Sequence, residues 1–388
     1  MPSLKPVASV PHSDPATGAA ANPSAPAPVA RPAPANGAAG TAPARVGAPL
    51  YVRITRLLSL LGLEWFVPLV RLFAGENPRA QLREMGLMIG VPLASFLLFL
   101  LLWGWAAGQI DTSLGAIPGP GQVQAEARGL LAEHRAERER EAAFMARQEQ
   151  RNSQRLAADP KASIRVMPYT GKPTYFDQIR TSLFTVFTGF LLATLVAVPA
   201  GILCGMSRVI NTALNPLIQI FKPVSPLAWL PIVTMVVSAL YVTSADSWFE
   251  KSFITSAITV SLCSLWPTLI NTAVGVASID KDLLNVGRVL RLNKRTQVAR
   301  IVIPSSLPLI FTGLRLSLGV GWMVLIAAEM LAQNPGLGKF VWDEFQNGSS
   351  SSLGRIMVAV FTIGIIGFLL DRVMLTLQKL FSFDEVRG

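Results

Sequence analysis

The sequence predicts an all-α polytopic membrane protein, with about six transmembrane helices preceded by an interfacial amphipathic helix. Three observations carry that expectation. Of the 388 residues, 51% are hydrophobic and only 15% are charged, whereas a soluble globular chain carries about a quarter. Six stretches reach the ~20 apolar residues that a bilayer core demands. The basic residues give a net charge of +11, yet they flank the apolar runs instead of alternating with aromatics on a polar surface. That pattern is the membrane one and excludes nucleic acid as a partner.

Residues 1–48 hold 25 Ala or Pro and one acid, Asp14. Such a segment buries too little apolar surface to offset its ordering entropy, so a disordered tail is expected. It lacks the charged start, apolar stretch and cleavage site of a secretory signal, and is read as cytoplasmic. Residues 49–84 include the amphipathic run 53–74, interrupted by Glu64, Pro68 and Arg71. A span with Glu64 near its centre is costly. An interfacial helix with Trp65 and Phe66 at headgroup level is therefore expected.

The first span falls at 86–107, within a segment 85–107, and a charged loop follows over 108–180. A core over 181–380 holds the other apolar runs, at 182–206, about 214–242, 252–279, 307–331 and 353–375. Residues 381–388 close the chain. Segment 280–300 carries Lys281, Arg288, Arg291, Lys294, Arg295 and Arg300, which places it in the cytoplasm. Loops 243–251 and 332–352 then fall outside, with only Lys251 and Lys339, and both termini fall inside. Loop 108–180 is outside despite its charge, because long loops translocate regardless of it. Within it, residues 123–157 alternate Glu126, Glu133, Glu137, Glu139, Glu141 and Glu149 with arginines, the mark of a solvated, salt-bridged helix. It is read as a structural arm or as a contact for a docking protein.

Within the second span, Ala193, Ala197, Gly201 and Gly205 recur every four residues, which lets another helix approach closely. Pro92, Pro199, Pro223, Pro226, Pro231 and Pro267 bend or break helices, and 222–231 (KPVSPLAWLP) is too broken for an ordinary lipid-facing helix. No catalytic set is legible. The nearest approach to a phosphate-binding loop, Gly336-Leu337-Gly338-Lys339, has the wrong spacing. Cys204 and Cys263 lie in apolar runs, and His12 and His134 are the only histidines, so no metal site is expected. Any energy for work must come from a partner.

Between the fourth and fifth spans runs DKDLLNVGRVLRLNKRTQVARIVIPSSLP, residues 280–308. It is helix-prone, with Leu283, Leu284, Gly287, Leu290 and Arg291 on one stripe, and is expected to end at Pro304, where the chain turns back into the membrane. The segment resembles the E-A-A loop of ABC-importer permeases, whose pattern is E-A-A-x3-G-x9-I-x-L-P. Asn285, Val286 and Gly287 stand at the E-A-A positions, Arg291 at the glycine, and Ile301, Ile303 and Pro304 at the ending. Because Arg291 replaces the motif glycine, the helix break is expected to move to Asn293, which tolerates left-handed dihedrals better than most residues.

The resemblance runs from about residue 112 to 380. Pro118-Gly119-Pro120, 221–233, 313–322, Ala328-Glu329-Met330, Gly336-Leu337-Gly338 and 369–372 also look like the nitrate/sulfonate/taurine branch of permeases, and the version of the loop at 285–294 looks most like nitrate permeases. The resemblance implies the type I ABC importer permease fold, with two permease copies capped by two cytoplasmic ABC ATPases that hold ATP and Mg. This chain would hold no cofactor itself. It further implies a bacterial inner membrane and a periplasmic or lipid-anchored substrate-binding protein. ATPase coupling would rest on Asp282, Leu283, Leu284, Asn285, Gly287, Arg288, Leu290, Arg291, Asn293 and Pro304. The pathway candidates are Trp229, Trp266, Asn271, Arg315, Trp322 and Glu329. Arg315 stands ~12 Å into its span and either meets an anionic cargo or pairs with Asp371; Glu329 is read as a gate or packing residue. Nitrate or nitrite is the expected cargo, with taurine, alkanesulfonate, bicarbonate and cyanate as alternatives. A channel or secondary transporter is the rival class, but neither inverted repeats nor acidic coupling residues at mid-membrane are visible.

Overall fold

The computed structural model describes residues 54–382 apart from 56–57, 59–63, 76–77, 113–114, 160–162, 165, 243–248 and 350. The expected tail at 1–48 and residues 383–388 lie outside the described residues. So does much of the expected interfacial segment, of which a 3-10 turn, Glu64–Phe66, and helix α1, Val67–Phe73, are described.

Among the described residues the architecture is all-helical, as the apolar periods demand, apart from a two-residue ladder pairing β1, Asp111–Thr112, with β2, Gly115–Ala116. Helix α2, Pro78–Met85, passes through a π-turn, Gly86–Gly90, into α3, Val91–Ala107. Together they give one apolar helix over Arg79–Ala107. Its leucines and phenylalanines, Leu93, Phe96, Leu97 and Leu101 among them, are exposed, as suits a helix whose solvent is lipid. Helix α4, Pro120–Ala158, is 39 residues long and starts on Pro120 at its first turn. Its charges pair along and off the helix, Arg138 with Glu141 and with Asp177, and Arg140 with Glu137. The hydroxyl of Tyr169 donates to Glu137 at 2.8 Å, and that bond to a carboxylate raises the phenol pKa.

The core is built from α5, Tyr175–Met206, α8, Lys251–Ala277, α11, Ile303–Ala332, and α13, Ser352–Ser382. The small-residue stripe of α5 sets the closest approach. A methyl on Gly201 would stand 2.6 Å from Thr272 Cβ, and one on Gly205 2.5 Å from Val276 Cβ. Gly189 extends the stripe, meeting the Ala257 carbonyl and Val260. These contacts advance along both chains in the same sense, so α5 and α8 run parallel. The chain must therefore recross between them.

That crossing is the finding that differs most from the expected 214–242 span. Instead of one helix there are two, α6, Arg208–Phe221, and α7, Pro226–Leu240, bent by 101°. Pro223 and Pro226 remove two donors within four residues, and Ser225 caps the new helix by accepting from Leu227 N–H at 3.3 Å. The pair still carries the chain back. Ile218 clusters with Ala197 and Leu269, Phe221 stacks on Trp266, and Tyr241 donates to the Phe249 carbonyl beside the start of α8.

A second difference lies at Pro304. The chain does not turn there. Helix α10, Lys294–Gln297, continues through a π-turn, Val298–Val302, into α11, a single helical run over Lys294–Ala332. Both π-turns sit just ahead of a proline, Pro92 and Pro304, where the wider turn makes room for the ring and the missing donor. The apolar stretch at 307–331 is thus only the outer part of a longer helix.

Pro267 lies inside α8 where α11 crosses it. Gly313, Ser317 and Gly321, one helical face, all meet α8. A methyl on Gly313 would be 3.0 Å from Thr268 Cα, and one on Gly321 3.3 Å from Val260. The Ser317 hydroxyl accepts from Thr268 N–H at 3.0 Å and donates to the Ser264 carbonyl. It thereby satisfies the backbone beside Pro267 from a neighbouring helix, as an apolar solvent requires.

Candidate functional site

The segment at 280–300 forms a short helix, α9, Lys281–Val289. Asp280 caps it, accepting from Asp282 N–H at 2.9 Å, and Asp282 sits in the first turn, where the helix dipole favours an acid. Its stripe divides in two. Leu284 packs inward with Val276, Ile279 and Val302, and Gly287 is buried, its missing methyl 3.0 Å from Ile301 Cδ1. Leu283, Val286, Val289 and Leu290 face outward, from 47% to 81% exposed. Among the described residues nothing covers this apolar face. Arg288 donates to Asn285 Oδ1 at 3.2 Å, holding both polar side chains at its edge.

The helix break sits at Arg291, against the expectation of Asn293. Arg291 adopts φ 48°, in the left-handed region, while Asn293 is extended at φ −68° and caps α10 by accepting from Thr296 N–H at 2.7 Å. The capping bond outweighs the lesser strain that Asn would feel at the turn, so an arginine occupies the glycine position of the motif in the glycine conformation. A left-handed non-glycine residue costs about 1 kcal/mol. Arg291→Gly is therefore expected to raise the unfolding temperature of the detergent-solubilised chain by about 2 °C; an unchanged or lower value in a thermal-shift measurement would refute the strain.

The other candidates do not form one cluster. Arg315 is engaged by Asp371 through both carboxylate oxygens, with Nη2 to Oδ2 at 2.9 Å. Trp229 and Trp266 both meet Phe221, the latter stacked at an 8° interplanar angle. Asn271 donates to the Pro267 carbonyl at 2.8 Å within its own helix. Trp322 is buried between α11 and α13, its indole N–H donating to the Ile363 carbonyl at 3.0 Å.

Glu329 is fully buried. Its carboxylate accepts from Ser182 Oγ at 2.8 Å and from Gly338 N–H at 2.9 Å, and Ser182 Oγ in turn accepts from Leu337 N–H. Helix α12, Leu337–Asn347, thus starts on a carboxylate that reaches it from α11. Asn334 adds a bond to Thr185 Oγ1 at 3.2 Å. Gly336-Leu337-Gly338 is therefore a cradle for Glu329. The pairing was not legible from spacing alone, since Ser182 lies 147 residues away.

One cavity was not foreseen. It is a half-open pocket of about 500 Å³ between α6 and the ends of α5 and α8, lined by the exposed side chains of Arg208, Asn211, Asn215, Gln219 and Lys222. The available signal was their 3-4-4-3 spacing, a polar helical stripe inside an otherwise apolar run. No group of three or more His, Cys, Asp or Glu is placed to hold a metal among the described residues.

Residues 197–383 match the family model described as binding-protein-dependent transport system inner membrane component. The chain is 37% identical over 226 residues to the nitrate import permease protein NrtB of Synechococcus elongatus, covering 56% of this chain and 76% of that protein. It is 38% identical over 205 residues to the bicarbonate transport system permease protein CmpB of the same species, covering 53% and 68%. NrtB of Synechocystis is 38% identical over 203 residues, covering 52% and 68%.

Proposed function

The chain belongs to the inner-membrane components of binding-protein-dependent transport systems, the permeases of ABC importers, and on that premise we propose that it moves nitrate into the cytoplasm. The observation that carries the cargo class is the pair of relatives, one named for nitrate and one for bicarbonate. Both ions are small, planar, singly charged oxyanions. The loop at 285–294 favours nitrate between them.

Two copies of the chain pair across the membrane, with ATP bound and hydrolysed by partner subunits on the cytoplasmic side. The exposed face of α9 seats on the ATPase, and closure of the ATPases pushes α9. Because Leu284 and Gly287 lock α9 to Val302 and Ile301 at the foot of the α10–α11 run, the push passes directly into a helix that crosses the core. Positive charge over 281–300 supports a cytoplasmic position for this end, and α4 and α12 then face the binding protein. Arg315, neutralised by Asp371, ties α11 to α13.

The test is uptake into proteoliposomes holding this chain, its ATPase and its binding protein. ATP-dependent accumulation of 15N-nitrate is expected, none without the ATPase, and the Arg315→Ala/Asp371→Ala double variant should transport better than either single one. Preferential uptake of labelled bicarbonate would overturn the cargo. ATP hydrolysis by the lone chain would overturn the mechanism.

A further inference from the structure

We propose that the polar face of α6 lines an anion-binding vestibule, the inner half of the path by which the cargo reaches the cytoplasm; this rests on the permease reading above. Arg208, Asn211, Asn215 and Gln219 stand on one stripe of a 14-residue helix, and Lys222, the residue that caps its end, continues the stripe. Across from them Gly205, Ala273 and Ala277 are small enough to leave the cavity of about 500 Å³ open. No carboxylate lines it among the described residues.

The two cations differ from several of the chain's other arginines. Arg315 is paired with Asp371, Arg355 with Glu126, Glu133 and Glu344, and Arg138 with Glu141 and Asp177. Arg208 and Lys222 meet no carboxylate among the described residues, and both reach the same cavity. Their charge is thus available to a ligand. Cytoplasmic charge asymmetry accounts for Arg208 at the membrane edge, but not for Lys222. Phe221, its neighbour, stacks on Trp266, and from Trp266 to the end of α8 at Ala277 the helix rises about 16 Å. A cation that deep cannot face hydrocarbon without heavy cost, so the stripe must face water or an anion.

The donors suit a planar oxyanion. A guanidinium fork and an ammonium supply charge. Three carboxamides between them supply N–H groups, with Asn215 Oδ1 already accepting from Gln219 Nε2 at 3.4 Å. The cavity is much larger than one such ion, so the ion keeps part of its water. Binding of that kind is weak and stepwise from Lys222 to Arg208, as passage requires. A lipid phosphate offers the same chemistry, and the test separates the two.

The experiment is isothermal titration of sodium nitrate, at constant ionic strength, into the full chain in nanodiscs of phosphatidylcholine alone or mixed with phosphatidylglycerol. Nitrate is expected to bind in both discs. The Arg208→Gln/Lys222→Gln double variant should weaken it at least tenfold, and Arg208→Lys/Lys222→Arg, which keeps the charge and guards against a folding defect, should retain it. Loss of nitrate binding in the phosphatidylglycerol discs would make the stripe a headgroup site and overturn the proposal. So would wild-type affinity in the double glutamine variant, or no binding by the wild type in either disc. ATP-driven uptake by the assembled transporter is measured alongside. If uptake proceeds while the double glutamine variant binds and transports as the wild type does, the vestibule falls and the permease reading stands.

Discussion

Val286→Asp combined with Leu290→Asp is expected to release the proposed ATPase partner while leaving the spans inserted. Both side chains are more than half exposed, at 53% and 63%, so the chain's own packing loses little. In the proposed complex they would lie in a dry contact. Removing two buried aliphatic side chains forfeits ~3 kcal/mol or more of apolar transfer, and placing two carboxylates against an apolar groove adds to the loss. At 1.4 kcal/mol per decade, that is at least a hundredfold in affinity. The measure is the ATPase retained on affinity-purified chain, with membrane insertion checked by protease protection. Co-purification at the normal ratio would remove α9 as the docking element. Leu284→Asp is a poorer probe. It puts a charge into the cluster with Val276, Ile279 and Val302 and damages the fold itself.

Gly338→Ala is expected to abolish assembly of the α5–α11–α12 end of the core. The new methyl would stand 2.2 Å from the Ile326 carbonyl oxygen and 2.8 Å from Glu329 Cβ. Neither is the flexible end of a side chain, so backbone must move, at a cost of about 3 kcal/mol or more. Glu329→Gln is milder. It keeps the shape, but an amide nitrogen replaces one of the two acceptor oxygens facing Ser182 Oγ, with ~1–3 kcal/mol at stake. Monodisperse yield after extraction and the thermal midpoint should fall in the order wild type, Glu329→Gln, Gly338→Ala. A Gly338→Ala chain with wild-type yield and midpoint would show that this buried knot carries no structural weight.

The two cases mark where sequence reasoning stops. The exposed face of α9 was half legible. Its 3.6-residue period identified an amphipathic helix, but the period by itself cannot say which side of a narrow stripe meets the chain's own core. Leu284 and Leu290 look alike in sequence. Ile279 and Val302, brought together by α8 and the π-turn, separate their roles. The Glu329 knot left less trace. A charged residue near a span end and a Gly-x-Gly nine residues on were both visible, and nothing local linked them to Ser182.

Length, hydropathy and charge asymmetry determined on their own that the chain is helical, crosses the membrane about six times, and keeps a basic amphipathic segment between its fourth and fifth spans. These properties are set locally: an apolar run long enough to cross must become a helix because hydrocarbon satisfies no backbone group. Tertiary structure alone decided where the helices break and which polar groups are free. Pro304 stays in a helix because a π-turn precedes it, whereas Pro223 and Pro226 end one. Arg291 takes the left-handed turn because Asn293 is committed to a cap. Arg315 meets Asp371, while Arg208 and Lys222 meet no acid among the described residues. In each case the outcome depends on a partner supplied by another helix or another turn, and in a low-dielectric surrounding that partner outweighs the intrinsic preference of the residue.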